Sequence, residues 1–145
     1  MSFAELKDNF SLVDDWEDRY RYVIELGRAL PGLPDADKID ANKVRGCASQ
    51  VWLVTKLTPR PGGKAPIMHI DGDSDAHIVR GLVAILLEIY QDRPADEIAA
   101  HDALQDFAEL GLKDHLTPQR SNGLASMVSR IRAEAKEAAA QSATG

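Results

Sequence analysis

The sequence predicts an α+β fold in which a small antiparallel β-sheet of about three strands is flanked by helices. Three observations carry this prediction. Apolar residues recur three and four apart near both ends of the chain, the spacing changes to alternation between residues 50 and 70, and a proline- and glycine-rich turn interrupts that alternating stretch. At 145 residues the chain has the length of about one domain, residues 1–145. A hydrophobic content of 44% with 28% charged residues suits a folding chain rather than a disordered one.

Trp16, Tyr20, Val23, Ile24, Gly27 and Leu30 share one helical face and Pro31-Gly32 ends it, so a helix is expected over 14–30 with a shorter one before it. Val51, Leu53, Thr55 and Leu57 alternate with Gln50, Trp52, Val54 and Lys56, the pattern of a strand of about eight residues with one face more buried. The turn at 59–63 then sends 65–70 back as an antiparallel partner, with Pro66 near its start where a missing donor is tolerated. Residues 38–44 are expected to supply a third strand on the other side of Gly46 and Cys47, from a weaker alternation.

Ile78, Val79, Leu82, Val83, Ile85, Leu86 and Ile89 are dense enough for a helix buried around most of its circumference. Asp73-Ser74-Asp75 before it carry side chains suited to capping its first amides. Two short helices are expected around 94–98 and 104–110, the second closed by Gly111. Thr117 then Pro118 reads as a cap and a first helical position, opening a last helix with Leu124, Met127, Val128, Ile131 and Ala135 on its apolar stripe. Its alanine-rich tail from about 137 is expected to fray.

With 17 Lys+Arg against 23 Asp+Glu the formal charge is −6, which argues against a nucleic-acid partner bound through its phosphates. The opening MSFAELKDNF holds no long apolar run, so neither a secretory signal nor a membrane partner is expected, and the expected location is cytoplasmic. Asp71, Asp73 and Asp75 alternate like the start of a calcium loop, but its sixth and twelfth positions are Ala76 and Leu82, which supply neither the glycine nor the glutamate. His69, His77, His101 and His115 have no zinc-binding spacing, and a single cysteine excludes an intramolecular disulfide and any site needing two thiolates. No metal is expected.

Charge is unevenly spread. Between residues 38 and 64, Lys38, Lys43, Arg45, Lys56, Arg60 and Lys64 stand against Asp40, a local charge of +5 that leaves −11 for the rest. Cys47 lies inside this basic stretch. Because the thiolate is the nucleophile and cations favour it, Lys43 and Arg45 would lower the Cys47 pKa if they approach it, and Gly46 permits a bend that puts the cysteine at a loop tip. From these residues alone Cys47 is either a small buried hydrophobe or a reactive thiol. A thiol hydrolase using His69 or His77 as base has no local signature behind it. Arg80, Arg120 and Asn122 sit at edges of the two strongest helices, where capping or surface pairing is the ordinary role.

The segment Asn42-Lys-Val-Arg-Gly-Cys47-Ala-Ser-Gln-Val-Trp-Leu53 resembles the active segment of the SufE-type sulfur acceptors, which work with cysteine desulfurases in iron-sulfur cluster assembly. The resemblance continues at Asp73-Ser-Asp-Ala-His-Ile-Val-Arg-Gly-Leu82, at Leu110-Gly-Leu112 and at Arg120-Ser-Asn-Gly-Leu124 with Met127, and it spans nearly the whole chain. Departures are the Gln91-Asp92-Arg93 stretch, where the family more often carries a glycine, and the alanine-rich tail.

The resemblance implies an α+β fold similar to the IscU scaffold, with Cys47 on an exposed loop as the catalytic thiol. It implies that Cys47 takes sulfur from the persulfide of a desulfurase that uses pyridoxal phosphate, of the SufS or CsdA type, stimulates that enzyme, and delivers the sulfur to a SufBCD-type scaffold complex. The chain would need no cofactor of its own. The residues agree at one point: a single thiol can carry sulfur but cannot cage a cluster. Lys43, Arg45 and Gly46 would tune and shape the loop. If the helix ends lie beside it, Asp73, Asp75, Arg80, Arg120 and Asn122 would bind the partner. The alternative is a non-catalytic binding module with a structural cysteine.

Overall fold

The computed structural model describes residues 2–144, with side chains for all of these except 113 and 142–144. Along the chain run α1 (Phe3–Ser11), α2 (Trp16–Arg28), β1 (Val51–Thr58), β2 (Ile67–Ser74), α3 (His77–Tyr90), β3 (Arg93–Pro94), α4 (Ala95–Ala100), α5 (Ala103–Glu109) and α6 (Pro118–Thr144). The strands form one antiparallel sheet in the order β1-β2-β3, so the fold is α+β as expected.

Asp15 starts α2 by accepting the Glu17 N–H at 2.9 Å, and Glu17 and Asp18 in its first turn with Arg28 in its last follow the helix dipole. Its buried face, Val23 and Gly27, meets α3 at close quarters. A Cβ on Gly27 would lie 2.6 Å from the Gly81 nitrogen, and one on Gly81 would fall on the Val23 carbonyl, so the two backbones touch where neither residue has a side chain. On its other side α3 covers the sheet: a Cβ on Gly72 of β2 would stand 2.7 Å from Val83. Leu82, Val83, Ile85 and Leu86 are essentially inaccessible, which fits the density of apolar residues in this helix.

β1 and β2 pair in register from Val51 opposite Ser74 to Thr58 opposite Ile67, confirming the hairpin. The alternation expected in β1 is blurred: Val51, Trp52 and Leu53 are all buried, while Lys56, Leu57 and Thr58 are exposed. Trp52, which alternation turns away from Leu53, is covered by the loop that precedes the strand, where the Lys38 ammonium sits 5.6 Å from its ring centroid.

The third strand is not where the alternation put it. Residues 38–44 curl through a short 3₁₀ turn, Asp40–Asn42, preceded by another at Asp35–Asp37, and pair with β1 only through a Lys43–Trp52 bridge and the 2.8 Å bond from Val44 N–H to the Val51 carbonyl. The Asn42 amide donates to the Asp37 carbonyl at 2.8 Å, a local bond that competes with extended pairing. The sheet is completed on its other edge by β3, with Arg93 opposite Met68 and Pro94 opposite Ile67. Beside it the Gln91 side chain acts as one more strand residue, accepting from Ile70 N–H and donating to the Ile70 carbonyl, both at 2.7 Å. Asp92 follows at φ 53°, the left-handed region that a glycine enters freely and an aspartate tolerates. Its carboxylate is anchored 2.8 Å from His69 Nδ1.

Asp73-Ser74-Asp75 do not cap α3. Asp73 and Ser74 finish β2, and Ala76 occupies the N-cap with no side-chain bond. Ser74 Oγ instead donates to the Gln50 carbonyl at 2.7 Å and accepts the Ala76 N–H at 3.3 Å, tying the head of β1 to the start of α3. Thr117 does cap α6, its Oγ1 accepting the Arg120 N–H at 3.2 Å. The apolar stripe of α6, from Leu124 through Ile131 and Ala135 to Ala138, is buried.

Candidate functional site

Cys47 lies in the loop that enters β1, and Gly46 before it adopts φ 88°, the bend expected from its sequence. A side chain at Gly46 would be strained by that φ and would meet Ser126 Oγ of α6 at 2.6 Å. The loop is thus laid against α6. Gly123 makes room for it: a Cβ there would sit 3.4 Å from the Cys47 sulfur. The thiol donates to the Gly123 carbonyl with Sγ···O of 3.4 Å. Cys47, Ala48 and Ser49, Val79 and Leu82 of α3, and Gln119, Arg120, Gly123 and Met127 of α6 surround a cavity of about 20 Å³.

The thiol is partly buried, and burial pushes its pKa up. This is the opposite of the lowering expected from Lys43 and Arg45. Arg45 is exposed and borders a different groove, with Ser126, Ser129 and Arg130. Lys43 contributes its backbone: Arg130 donates to the Lys43 carbonyl at 3.1 Å and to the Ala41 carbonyl at 2.9 Å, pinning the entry of the loop to α6. The exit is pinned by Asp75, whose Oδ1 accepts the Gln50 N–H at 3.0 Å.

Of the residues expected to bind a partner, Asp75, Arg120 and Asn122 lie on the cysteine's side of the molecule. Asp75 holds the loop exit and Arg120 lines the cavity, with Nη1 3.4 Å from the Tyr20 hydroxyl. Asn122 is exposed next to Gly123. Asp73 and Arg80 are engaged inside. Asp73, only 7% exposed, has Oδ1 3.2 Å from Arg80 Nε and Oδ2 3.4 Å from Lys38 Nζ, and it accepts the N–H groups of Leu33 at 3.0 Å and Ser74 at 2.8 Å. Burial alone would raise its carboxyl, but those amides and the two cations outweigh it and hold it below the ordinary value. Arg80 also donates to the Leu30 carbonyl at 2.8 Å, so this pair fastens the segment from Leu30 to Lys38.

Sequence reasoning gave no role to Gly123, although it stands in the Arg120-Ser-Asn-Gly-Leu124 block, and missed Ser126 and Arg130. Their signal is helical spacing: Gly123 and Met127, and Ser126 and Arg130, are each four apart, which gives two adjoining rows on the face of α6 that meets the loop. Neither His69 nor His77 lines the cysteine's cavity, and His69 is occupied between Asp71 and Asp92 at 3.3 and 2.8 Å. Among the described residues no group of three or more His, Cys, Asp or Glu could hold a metal ion, and no helix is long and apolar enough to cross a membrane.

Residues 4–135 match the domain family described as "SufE: Fe-S metabolism associated domain". An uncharacterized SufE-like protein of Rhizobium etli is 60% identical over 139 residues, covering 96% of this chain and 93% of that protein. An uncharacterized SufE-like protein of Rhizobium meliloti is 53% identical over 135 residues, covering 93% of this chain and 95% of that protein. The solution structure of a hypothetical protein from Thermus thermophilus superposes with a TM-score of 0.70 at 17% identity, over 95% of this chain and 98% of that one, a likeness of fold. The match across nearly the whole length, with close relatives of the same name, means that this chain belongs to the SufE family of Fe-S metabolism associated domains.

Proposed function

We propose that this chain is a sulfur acceptor that takes persulfide sulfur from a cysteine desulfurase onto Cys47, stimulates the desulfurase and delivers the sulfur for iron-sulfur cluster assembly. The observation that carries this reading is that its one cysteine sits on a glycine-bent loop at the rim of a cavity, backed by a rigid helix. The Cys47 thiolate attacks the outer sulfur of the donor's persulfide. A new S–S bond forms as the donor's S–S bond breaks, the outer sulfur keeps its hydrogen, and the donor cysteine leaves as a thiolate. The donor is a desulfurase of the SufS or CsdA type, which supplies its own pyridoxal phosphate, and the recipient is a SufBCD-type scaffold complex, all in the cytoplasm. A carrier with one thiol cannot itself hold a cluster.

The docking surface must surround the loop, and Arg45, Asp75, Arg120 and Asn122 border it. Such rim charges govern association rate and salt dependence more than affinity. The loop packs inward in the free protein and swings out about Gly46 on docking. The test is intact mass after mixing with a desulfurase and cysteine: the wild type gains one sulfur, about 32 Da, and Cys47→Ser gains none. Sulfur uptake by the serine variant overturns the reading.

A binding module with a structural cysteine is favoured by one observation, the partly buried thiol bonded to Gly123. That reading requires Cys47→Ser to leave desulfurase stimulation intact.

A further inference from the structure

We propose that the Gly123 carbonyl is a latch that reads the protonation state of Cys47, holding the loop inward while the sulfur is a thiol and releasing it once the sulfur is an anion. The inference rests on the sulfur-acceptor reading and names how that site is regulated. A carbonyl can only accept, so the hydrogen bond across this 3.4 Å contact exists only while the sulfur carries a hydrogen to donate. Removing the proton sets a negative sulfur against the negative end of the C=O dipole. Val79, Leu82 and Met127 of the same wall offer an anion no donor, and of its polar members Ser49, Gln119 and Arg120 the guanidinium is turned to the Tyr20 hydroxyl, 3.4 Å from Nη1. A persulfide anion on Cys47 lacks the hydrogen in the same way.

The loop has the means to respond. Its two ends are held elsewhere, by Arg130 at the Lys43 and Ala41 carbonyls and by Asp75 at Gln50, while the tip between them bends at Gly46 and is tied to α6 through the sulfur. Burial acts in the same direction, since it too favours the neutral thiol. Of the charged groups on the elements packed here, Arg120 lines the cavity from α6 and reaches to the Tyr20 hydroxyl, Asp75 holds the loop exit at Gln50, and Lys43 and Arg45 lie on the loop itself, Arg45 bordering a different groove. All four remain in a Cys47→Ser variant, whose hydroxyl keeps a donor for Gly123 and does not ionise. The unloaded protein therefore rests closed, and ionisation or loading opens it.

The test is amide hydrogen exchange in the free protein across residues 44–50 between about pH 7 and 10, corrected for the intrinsic rate, with thiolate absorbance locating the titration. In the wild type, opening should rise about tenfold per pH unit on the approach to that titration and level off beyond it, because the closed form excludes the anion. The serine variant should stay flat. A flat wild type, or an equal rise in the serine variant, overturns the latch. Sulfur uptake measured by mass on the same preparation keeps the two ideas apart: uptake with pH-independent exchange sinks the latch alone, whereas pH-driven opening without uptake upholds the latch and sinks the carrier reading.

Discussion

Asp73 and Cys47 are two polar side chains turned inward near opposite ends of the same loop system, and the protein treats them in opposite ways. Asp73 is surrounded by two cations and two amide donors and stays charged. Cys47 has one carbonyl to donate to and stays neutral. A carboxylate with four partners over-determines its surroundings, so the segment from Leu30 to Lys38 is fixed. A thiol with one sulfur hydrogen bond gives up little on leaving, so its loop remains available for chemistry. Burial by itself identifies neither role; the number and charge of the partners do.

The comparison is broken most directly by Asp73→Ala. Removing this partner leaves Arg80 and Lys38 uncompensated and should cost about 3 kcal/mol, a fall in Tm of about 10 °C for a chain of this size. Cys47→Ser should cost less than about 1 kcal/mol while abolishing sulfur uptake. Equal losses of stability in thermal melts would erase the distinction. The Asp73 contribution also has a pH signature: with its pKa held below the ordinary 3.8, it is present above that value and lost as the pH falls through the lower folded value, so wild type and Asp73→Asn should converge in acid.

Gly46→Ala sharpens the other side. The strain of φ 88° should cost about 1 kcal/mol, and the clash with Ser126 should lift the loop off α6, so Cys47 should alkylate faster than in the wild type. An unchanged alkylation rate would show that the bend does not govern access to the thiol. A smaller effect is expected at His69, a third polar group with partners but open to water. Its bond to Asp92 is the main cause of a raised pKa, so its stabilisation is complete below the ordinary 6.5 and disappears as the pH rises through the folded value. His69→Gln should thus destabilise the protein only at the acidic end, by well under about 1 kcal/mol because the ring is exposed, read as a small fall in Tm there alone. Smallest is the tail: amides beyond residue 137 should exchange faster than those of the Leu124 to Ile131 stretch, which carries the buried stripe.

The parts of this fold legible in the sequence are those decided within a few residues. The α2 stripe, the hairpin around 59–63, the Thr117-Pro118 start and the Gly46 bend all carry their cause in neighbouring side chains. The misplaced third strand shows the limit. Residues 38–44 alternate weakly, yet Asn42 and Asp37 bond locally, whereas Arg93 and Pro94 become a strand only because Met68 and Ile67 lie beside them. The departure at Gln91-Asp92-Arg93 was visible as unusual, but the use of the Gln91 amide as a strand surrogate depends on Ile70, which is 21 residues away. At the site, the cysteine and its glycine were legible. The buried setting of Asp73 and Arg80, and the roles of Gly123 and Arg130, were not, since each depends on contacts across the fold.

The contact between Gly27 and Gly81 gives the thiol's surroundings a mechanical asymmetry. The turn of α3 that carries Gly81 also presents Val79 and Leu82 to the cavity, and this turn already rests backbone to backbone on α2. A close-packed interior transmits load instead of absorbing it, so this wall cannot recede when a partner presses on the molecule. In the proposed function the loop is then the wall left to move, and the force of docking would fall on the segment that bears the sulfur.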